Sequence, residues 1–210
     1  MSTATGTGTG TGRLALWNDC APGHLAAYDT WYLDEHLPER LSIPGFLRAR
    51  RFVSTGEGPA FFTYYQTREP AVLTSEAYLE RLNNPTPRTK IMMSDAFTNM
   101  SRTLCRVVAS RGHVYGAWAM VLQMDRAPDD LLPKLAMARG IARAEVWQAA
   151  ADPVETTESR LRGGDDAIGA CLLVETLRRG DADLLARQFA GALVYELMCE
   201  MTAADVPAPR

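Results

Sequence analysis

The chain has 210 residues, of which 47% are hydrophobic and 22% are charged, and its net charge is −3. This length and composition are typical of an ordinary globular protein with one large domain or two small ones. The slight acidic surplus argues against a nucleic-acid-binding surface. No apolar run approaches the ~20 residues that a membrane-spanning helix needs, and the N-terminus lacks a signal-peptide pattern. We therefore expect a cytoplasmic protein with neither nucleic acid nor membrane as a partner.

The first half of the chain predicts four strands and two helices. Residues 1–12 form a Thr/Gly-rich tail that we expect to be disordered. Alternating or aromatic-rich runs predict the strands, at 13–19, 46–54, 60–67 and 102–110. Apolar spacing and helix-stop signals predict the helices, at 24–41 and 74–85. The resulting order, β-α-β-β-α-β, is that of the ferredoxin-like motif.

The second half repeats this order. Its predicted strands are 115–124, 142–150, 167–177 and 193–201, and its predicted helices are 129–140 and 181–192. The stretch "HLPERLSIPGFLRARRF" (36–52) aligns without gaps on "LLPKLAMARGIARAEVW" (131–147), which favours a tandem duplication. The predicted organisation is a tail (1–12), two units and a loose C-terminal end, with the units at 13–111 and 112–202 and the end at 203–210.

These elements predict an α+β fold built from two tandem ferredoxin-like units, packed as an α+β barrel within one chain. A single such unit has helices on only one face of its sheet, so the other face needs a cover. Two sheets can cover each other by packing face to face or by closing edge to edge. The space between the sheets is then the expected place for a ligand pocket.

His36 is the candidate for chemistry. On a regular helix Leu25, Asp29, Tyr32, His36 and Arg40 share one stripe roughly 80° wide. The following proline predicts a kink or an end of the helix near the histidine. The helix dipole would favour a protonated imidazole and burial would oppose it. Two roles stay open, a helix-capping or core histidine and an acid/base group.

The other two histidines are weaker candidates, and no metal site is predicted. His24 is expected at the helix start and His113 in the linker between the units. The sequence has no H-x-x-x-H pair and no other cluster with the spacing of metal ligands. We also find no phosphate-binding glycine loop and no G-x-S-x-G stretch.

Residues 13–110 resemble the dimeric α+β barrel superfamily, and most closely its ethyl tert-butyl ether degradation (EthD)-like branch. That branch has a helix with Trp-Tyr-x-x-Glu-His, then Pro-Gly-Phe leading into an arginine-rich strand. The matching residues here are Trp31, Tyr32, Glu35, His36, Pro44, Gly45, Phe46, Arg48, Arg50 and Arg51. In the second half Leu131 stands where the first half has His36, so the resemblance implies one site per chain.

The resemblance implies a barrel with a central cleft and a helix histidine that faces it. Members of the superfamily include cyclases, cofactor-independent monooxygenases, dehydratases and isomerases, together with some haem enzymes. For this chain it implies an enzyme without a cofactor that acts on a small apolar or aromatic carbonyl compound. His36 would be the acid/base, Tyr32 and Arg40 would bind substrate, and Trp31 and the aromatic side chains of 60–67 would line the pocket. Three alternatives stay open: a non-catalytic or stress-associated binding module, a haem-binding barrel, and association of the chain into a homodimer.

Overall fold

A computed structural model describes residues 10–135, 138–151 and 154–207. Eight strands form one closed, antiparallel barrel in the order β1-β3-β2-β8-β5-β7-β6-β4. The strands are β1 (Gly12–Cys20), β2 (Phe46–Ser54), β3 (Phe61–Thr67), β4 (Phe97–Gly112), β5 (Trp118–Met124), β6 (Ile141–Ala149), β7 (Ala170–Thr176) and β8 (Leu193–Thr202).

The predicted fold class, two tandem ferredoxin-like units, is wrong. The strands do not form two separate sheets, because β2 pairs with β8 and β4 pairs with β6 across the two halves of the chain. An open four-stranded sheet would expose unpaired N–H and C=O groups along both edges, and barrel closure pairs them. The tandem duplication is not confirmed, and the domain boundaries stay a prediction.

Helices are few and short, and most of them lie beside the first four strands. They are α1 (Leu25–Trp31), α2 (Leu37–Leu41), α3 (Glu76–Asn83), α4 (Pro87–Ile91), α5 (Leu131–Lys134), α6 (Thr157–Leu161) and α7 (Arg179–Ala186). Two π-helical turns, Tyr32–His36 and Met92–Ala96, follow α1 and α4. None of the helices in the described ranges is long and apolar enough to cross a membrane.

Several predicted boundaries agree with these elements and some segments do not. Strand β2 has the predicted bounds, and the helical stretch predicted at 24–41 is α1, a π-helical turn and α2. Helices α4 and α6 have no counterpart in the predictions. Residues 1–9 and 208–210 of the predicted tails, and 136–137 of the helix predicted at 129–140, lie outside the described residues.

The barrel wall has two differently packed faces, because successive side chains of a strand point to opposite sides. On β1, Ala15 and Trp17 point into the barrel with other large aromatic side chains, whereas Leu14 and Leu16 point towards the helices. The interior cluster comprises Ala15, Trp17, Phe52, Phe62, Tyr64, Cys105, Ala119, Val121, Trp147, Cys171, Leu173 and Tyr195. The middle of the barrel is therefore a packed core, and in the described part of the chain these side chains fill the space where a pocket between the sheets was expected.

Candidate functional site

The cavity that contains His36 lies outside the barrel, between its wall and the helices of the first half. Strand residues form its floor, α2 and the π-helical turn form one side, and α6 comes from the second half of the chain. Its lining comprises Leu14, Leu16, Tyr32, His36, Arg40, Tyr65, Tyr78, Leu82, Met93, Phe97, Met100, Arg102, Glu158 and Arg162. Its volume of about 20 Å³ is enough for roughly one water molecule.

A π-helical turn places His36 in this cavity. The backbone N–H of Leu37 donates to the carbonyl of Tyr32, five residues back. Pro38 has no N–H and would collide with the carbonyl four residues before it in a regular α-helix, and the wider turn relieves that conflict. Single π-helical turns inside α-helices occur frequently at functional sites. The predicted disturbance near the histidine is thus a widened turn, after which the helix continues to Leu41.

The imidazole of His36 is buried between two aromatic rings. The residue is 5% exposed. The centroid of its ring lies 4.3 Å from the ring centroid of Trp31 and 5.0 Å from that of Tyr32. Its Nδ1 has no hydrogen-bond partner among the described residues. A buried polar nitrogen without a partner is unfavourable in a merely structural histidine, so this atom is free to bind a ligand or a proton.

The structure decides between the two opposing influences on His36 protonation. Burial lowers the pKa of His36 well below 6.5, and the charges of Arg40, Arg162 and Arg51 lower it further. Desolvation and nearby cations both disfavour the charged form of an imidazole. These effects outweigh any stabilisation of the charged form by the helix dipole, and the imidazole of His36 is neutral at physiological pH.

This protonation state predicts a specific pH dependence of stability. Because the pKa of His36 is lower in the folded chain than in the unfolded chain, the unfolded state binds the proton more readily as pH falls below about 6.5. The contribution of His36 to stability is complete above that pH and is lost below it. Urea unfolding should show wild type losing more stability than His36→Phe between pH 7.5 and 5. A difference between the two proteins that stays constant over this range would refute a neutral buried His36.

Arg40 is held by a carboxylate from the other half of the chain. Its guanidinium is buried and donates to Glu158 of α6 at 2.5 Å, and it also lies 3.4 Å from Glu39. Burial opposes the charge, but Glu158 raises the pKa of Arg40, which stays protonated. Arg162 lies 3.7 Å from the same carboxylate and 2.7 Å from Asp165. Helix α6 and its C-cap thus contribute Glu158 and Arg162 to the cavity wall, and Glu158 ties them to Arg40 of α2.

Two further polar side chains face the cavity and have hydrogen-bond donors that can bind a ligand. Arg102 of β4 is buried and donates to the hydroxyl of Tyr78 at 3.0 Å, and it forms no ion pair with any described carboxylate. The buried hydroxyl of Tyr65 has no hydrogen-bond partner in the described ranges. Burial raises the pKa of Tyr65 well above 10, so this hydroxyl keeps its proton and can donate it in a hydrogen bond. Both groups suit an oxygen that carries negative charge.

A hydrogen-bond chain fixes the ring that stacks on His36. The indole N–H of Trp31 donates to the hydroxyl of Thr89 at 3.1 Å, and that hydroxyl donates to Glu35 at 2.9 Å. Thr86, the N-cap of α4, donates to the same carboxylate oxygen at 2.5 Å. Glu35 therefore connects α4 to the turn that carries His36.

Replacing Thr89 with valine tests this chain. The substitution keeps the shape of the side chain but leaves the buried Trp31 N–H without its acceptor, which costs about 1 to 3 kcal/mol. Thr30→Val is the control, because Thr30 is exposed and bonds only to a carbonyl of its own helix; we expect a change within about 0.5 kcal/mol. Chemical denaturation of both variants measures the difference. Equal losses of stability in the two variants would show that the hydrogen bonds through Thr89 do not hold Trp31 in place.

The predicted site residues come together, although not in the predicted place. Tyr32, His36 and Arg40 all line the cavity, and Trp31 packs behind His36 without lining it. Of the aromatic side chains of 60–67, only Tyr65 reaches this cavity. The cavity also contains three residues that were not predicted as site residues, Arg102, Glu158 and Arg162. The short α6 has a Thr156–Ser159 capping box, a weaker signal than the usual Glu or Gln at that position.

The described residues contain no cluster of three His, Cys, Asp or Glu side chains that could hold a metal ion. A haem would require an open face at His36, the one histidine in the cavity. That ring packs against the tilted ring of Trp31 and edge-on against Tyr32, in a cavity of about 20 Å³. The arrangement therefore offers proton transfer and stabilisation of an anion, with a neutral imidazole and spare donors.

Solved structures with the same fold include an anthrone oxidase-like protein, with 10% sequence identity, a TM-score of 0.59, and coverage of 97% of this chain and 98% of that one. A "putative monooxygenase" of Fusobacterium nucleatum subsp. nucleatum has 8% identity and a TM-score of 0.56, covering 92% and 95% of the two chains. Another protein of that name, from Lactobacillus acidophilus NCFM, has 9% identity and a TM-score of 0.51, covering 92% and 97%. No family model matches the sequence, and no curated protein matches it. At these identities the likeness shows a shared fold over nearly the whole chain.

Proposed function

We propose that this chain is a cofactor-independent enzyme that removes a proton from a small aromatic compound. The acidic group of that compound is a C–H conjugated with a carbonyl, or the phenolic O–H of its enol form. The His36 cavity is its active site in this proposal. The observation that carries it is the pairing, in one buried cavity, of a neutral imidazole with a cation, Arg102, that has no carboxylate partner in the described chain. A base and an anion-stabilising donor are the two parts that such a reaction needs.

In the proposed step the imidazole of His36 accepts the proton, and the electron pair moves onto the substrate oxygen. Arg102 and the hydroxyl of Tyr65 donate hydrogen bonds to that oxygen. The nearby guanidiniums make His36 a weak base, but they stabilise the substrate anion equally well. Formation of the anion in turn stabilises the imidazolium, so the proton transfer creates a favourable pair of charges.

Oxidation by O₂ is the second half of the proposed reaction. The substrate carbanion forms a C–O bond with O₂, and the His36 imidazolium returns its proton to the peroxide oxygen. Loss of the remaining C–H proton then breaks the O–O bond, so that a CH₂ flanked by aromatic rings becomes a carbonyl and the second oxygen atom leaves as water. In anthrone, the compound named in one structural neighbour, this CH₂ lies opposite the carbonyl in the central ring and is conjugated with it through the fused benzene rings, and we propose compounds of this type as substrates. The fold shared with proteins titled as monooxygenases supports this choice over cyclase, isomerase or dehydratase chemistry.

A substrate fits only when side chains around the cavity move. Met93 and Met100 line it, and unbranched thioether side chains adapt their shape easily. Met93 also accepts a hydrogen bond from Arg162 at 3.0 Å, which links its position to α6. We therefore expect binding to displace these two side chains from the positions described above.

Arg102→Gln tests the proposed anion-binding group. Loss of one preorganised donor to a developing oxyanion lowers kcat by about 10²- to 10³-fold, and KM should change much less. Arg106→Gln is the matched control, because Arg106 is exposed four residues along the same strand. Oxygen uptake with anthrone measures both. Equal kcat values for the two variants would remove Arg102 from the mechanism.

The alternative function is a non-catalytic module that binds the same class of compound. The small cavity volume favours it, since a cavity of about 20 Å³ must widen less to admit one ligand than to hold a substrate and O₂ together. The two functions differ in the fate of the acidic C–H. Exchange of that hydrogen for deuterium, catalysed in D₂O without O₂, indicates an enzyme, whereas ligand binding without exchange indicates a module.

A further inference from the structure

A second cavity, which shares no residue with the His36 cavity, opens at one end of the barrel. Its volume is about 620 Å³, within the range of small-molecule sites. The wall includes Arg48 of β2, Val107 and Ser110 of β4, Tyr115 in the β4–β5 connection, and Arg143 and Glu145 of β6. We refer to it as the barrel-mouth pocket.

One carboxylate in this wall serves two arginines. Glu145 accepts from Arg13 at 2.7 and 2.9 Å, from the indole of Trp147 at 2.8 Å, and from Arg143. These contacts occupy both oxygens of Glu145. Arg143 is 4% exposed, yet its Nη1 has no hydrogen-bond partner among the described residues. A buried cation with a free donor is unfavourable unless something negative pairs with it.

The neighbouring charges do not supply the missing partner. Arg50 is paired with Glu175 at 2.6 Å and with Glu200 at 2.7 Å, and Arg48 is also bonded to Glu200. With Arg13 and Arg143 on Glu145, this network holds four arginines and three glutamates. Of these residues, Arg48, Arg143 and Glu145 line the pocket, so its described wall has two arginines and one glutamate.

The ring of Tyr115 organises the same cations. The guanidiniums of Arg48, Arg143 and Arg50 lie 4.2, 4.4 and 5.2 Å from its centroid. The Tyr115 hydroxyl donates to Gln66 at 2.9 Å, which fixes the ring. Cation–π contacts stabilise guanidiniums without neutralising them. The positive charge thus stays available at the edge of the pocket, next to the apolar side chains of Val107 and Ala109.

From this arrangement we propose that the barrel-mouth pocket binds a small organic carboxylate. The carboxylate pairs with Arg143 and with the surplus positive charge around Tyr115, and the apolar part of the ligand packs on Val107 and Ala109. The size of the pocket and its apolar strip favour an organic anion over a small inorganic one. This site is separate from the proposed reaction and does not depend on it.

Isothermal titration calorimetry with sodium benzoate tests the proposal, with inorganic phosphate and neutral benzyl alcohol as comparison probes. Ser110 is exposed in the pocket and lies opposite Glu145 in the sheet, so Ser110→Glu adds a negative charge beside the proposed ligand site without replacing a member of the buried ion pairs. We expect Ser110→Glu to weaken benzoate binding about five- to tenfold and Ser110→Lys to strengthen it by a similar factor. Ala27→Glu, which adds the same charge on exposed α1, should leave binding unchanged.

Arg143→Gln should abolish benzoate binding. If that variant does not fold, the two Ser110 variants still test the proposal, because they replace no arginine or glutamate of the buried ion pairs. Absence of benzoate binding to the wild type at about 10 mM would overturn the proposal, and so would equal affinities of Ser110→Glu and Ser110→Lys. Phosphate or benzyl alcohol binding as tightly as benzoate would overturn it as well, since the apolar strip or the charge would then contribute nothing.

Discussion

Replacing His36 with glutamine will lower kcat for anthrone oxidation by about 10²- to 10⁴-fold, the usual contribution of a general acid/base. Glutamine retains hydrogen-bonding capacity but cannot accept the substrate proton. The KM should change much less, because the donors at Arg102 and Tyr65 remain. Steady-state oxygen uptake measures both constants, and deuterium exchange into the substrate measures the proton-transfer step alone.

The control for this experiment is His24→Gln. His24 lies at the start of α1 and does not line the cavity, so its replacement should leave turnover unchanged. Circular dichroism and the unfolding midpoint of His36→Gln establish that the variant is folded. A folded His36→Gln protein with wild-type kcat would contradict the role assigned to this histidine.

Replacing Glu158 with alanine will lower the free energy of unfolding by about 3 to 5 kcal/mol, because it removes the closer and more deeply buried of the two carboxylates that pair with the buried charge of Arg40. Glu155→Ala is the matched control on the same segment. Its carboxylate is 73% exposed and lies 3.7 Å from an exposed Arg160, and such surface pairs contribute about 0 to 1 kcal/mol. Urea denaturation of the two variants gives the comparison.

A double variant separates the ion pair from simple loss of packing. Replacing both members, as Arg40→Met with Glu158→Leu, removes the unpaired charge and should recover most of the stability lost in Glu158→Ala. Similar losses for Glu155→Ala and Glu158→Ala, or a double variant less stable than Glu158→Ala, would show that this pair does not anchor α6 over the cavity.

Local patterns in the sequence predicted individual elements well and their assembly poorly. Alternation along 46–54 gave β2 its observed bounds, since period-two patterning and side-chain burial have the same physical origin. The pairing of β2 with β8 and of β4 with β6 involves residues far apart in the chain, and no local pattern encodes such contacts. Two separate ferredoxin-like units were therefore expected where one continuous barrel exists.

The candidate site likewise has residues that a local pattern predicted and residues that only tertiary contacts bring together. Helical spacing brought Tyr32, His36 and Arg40 onto one face, and the cavity contains all three. Glu158, 118 residues from the Arg40 that it pairs with, could not be predicted, because α6 is five residues long and its capping box has Ser159 in place of the usual Glu or Gln. The protonation of His36 was open for the same reason. It depends on burial and on Arg162, which tertiary contacts alone bring near the ring.

A crystal structure of the protein soaked with 1-naphthol, a phenol without the oxidisable CH₂, tests the central claim most directly. The account predicts the naphthol oxygen within hydrogen-bond distance of Arg102 and of the Tyr65 hydroxyl, and the naphthol ring against His36, with Met93 and Met100 displaced to make room. Naphthol bound in the barrel-mouth pocket or elsewhere, with the His36 cavity unchanged at saturating concentration, would contradict the account.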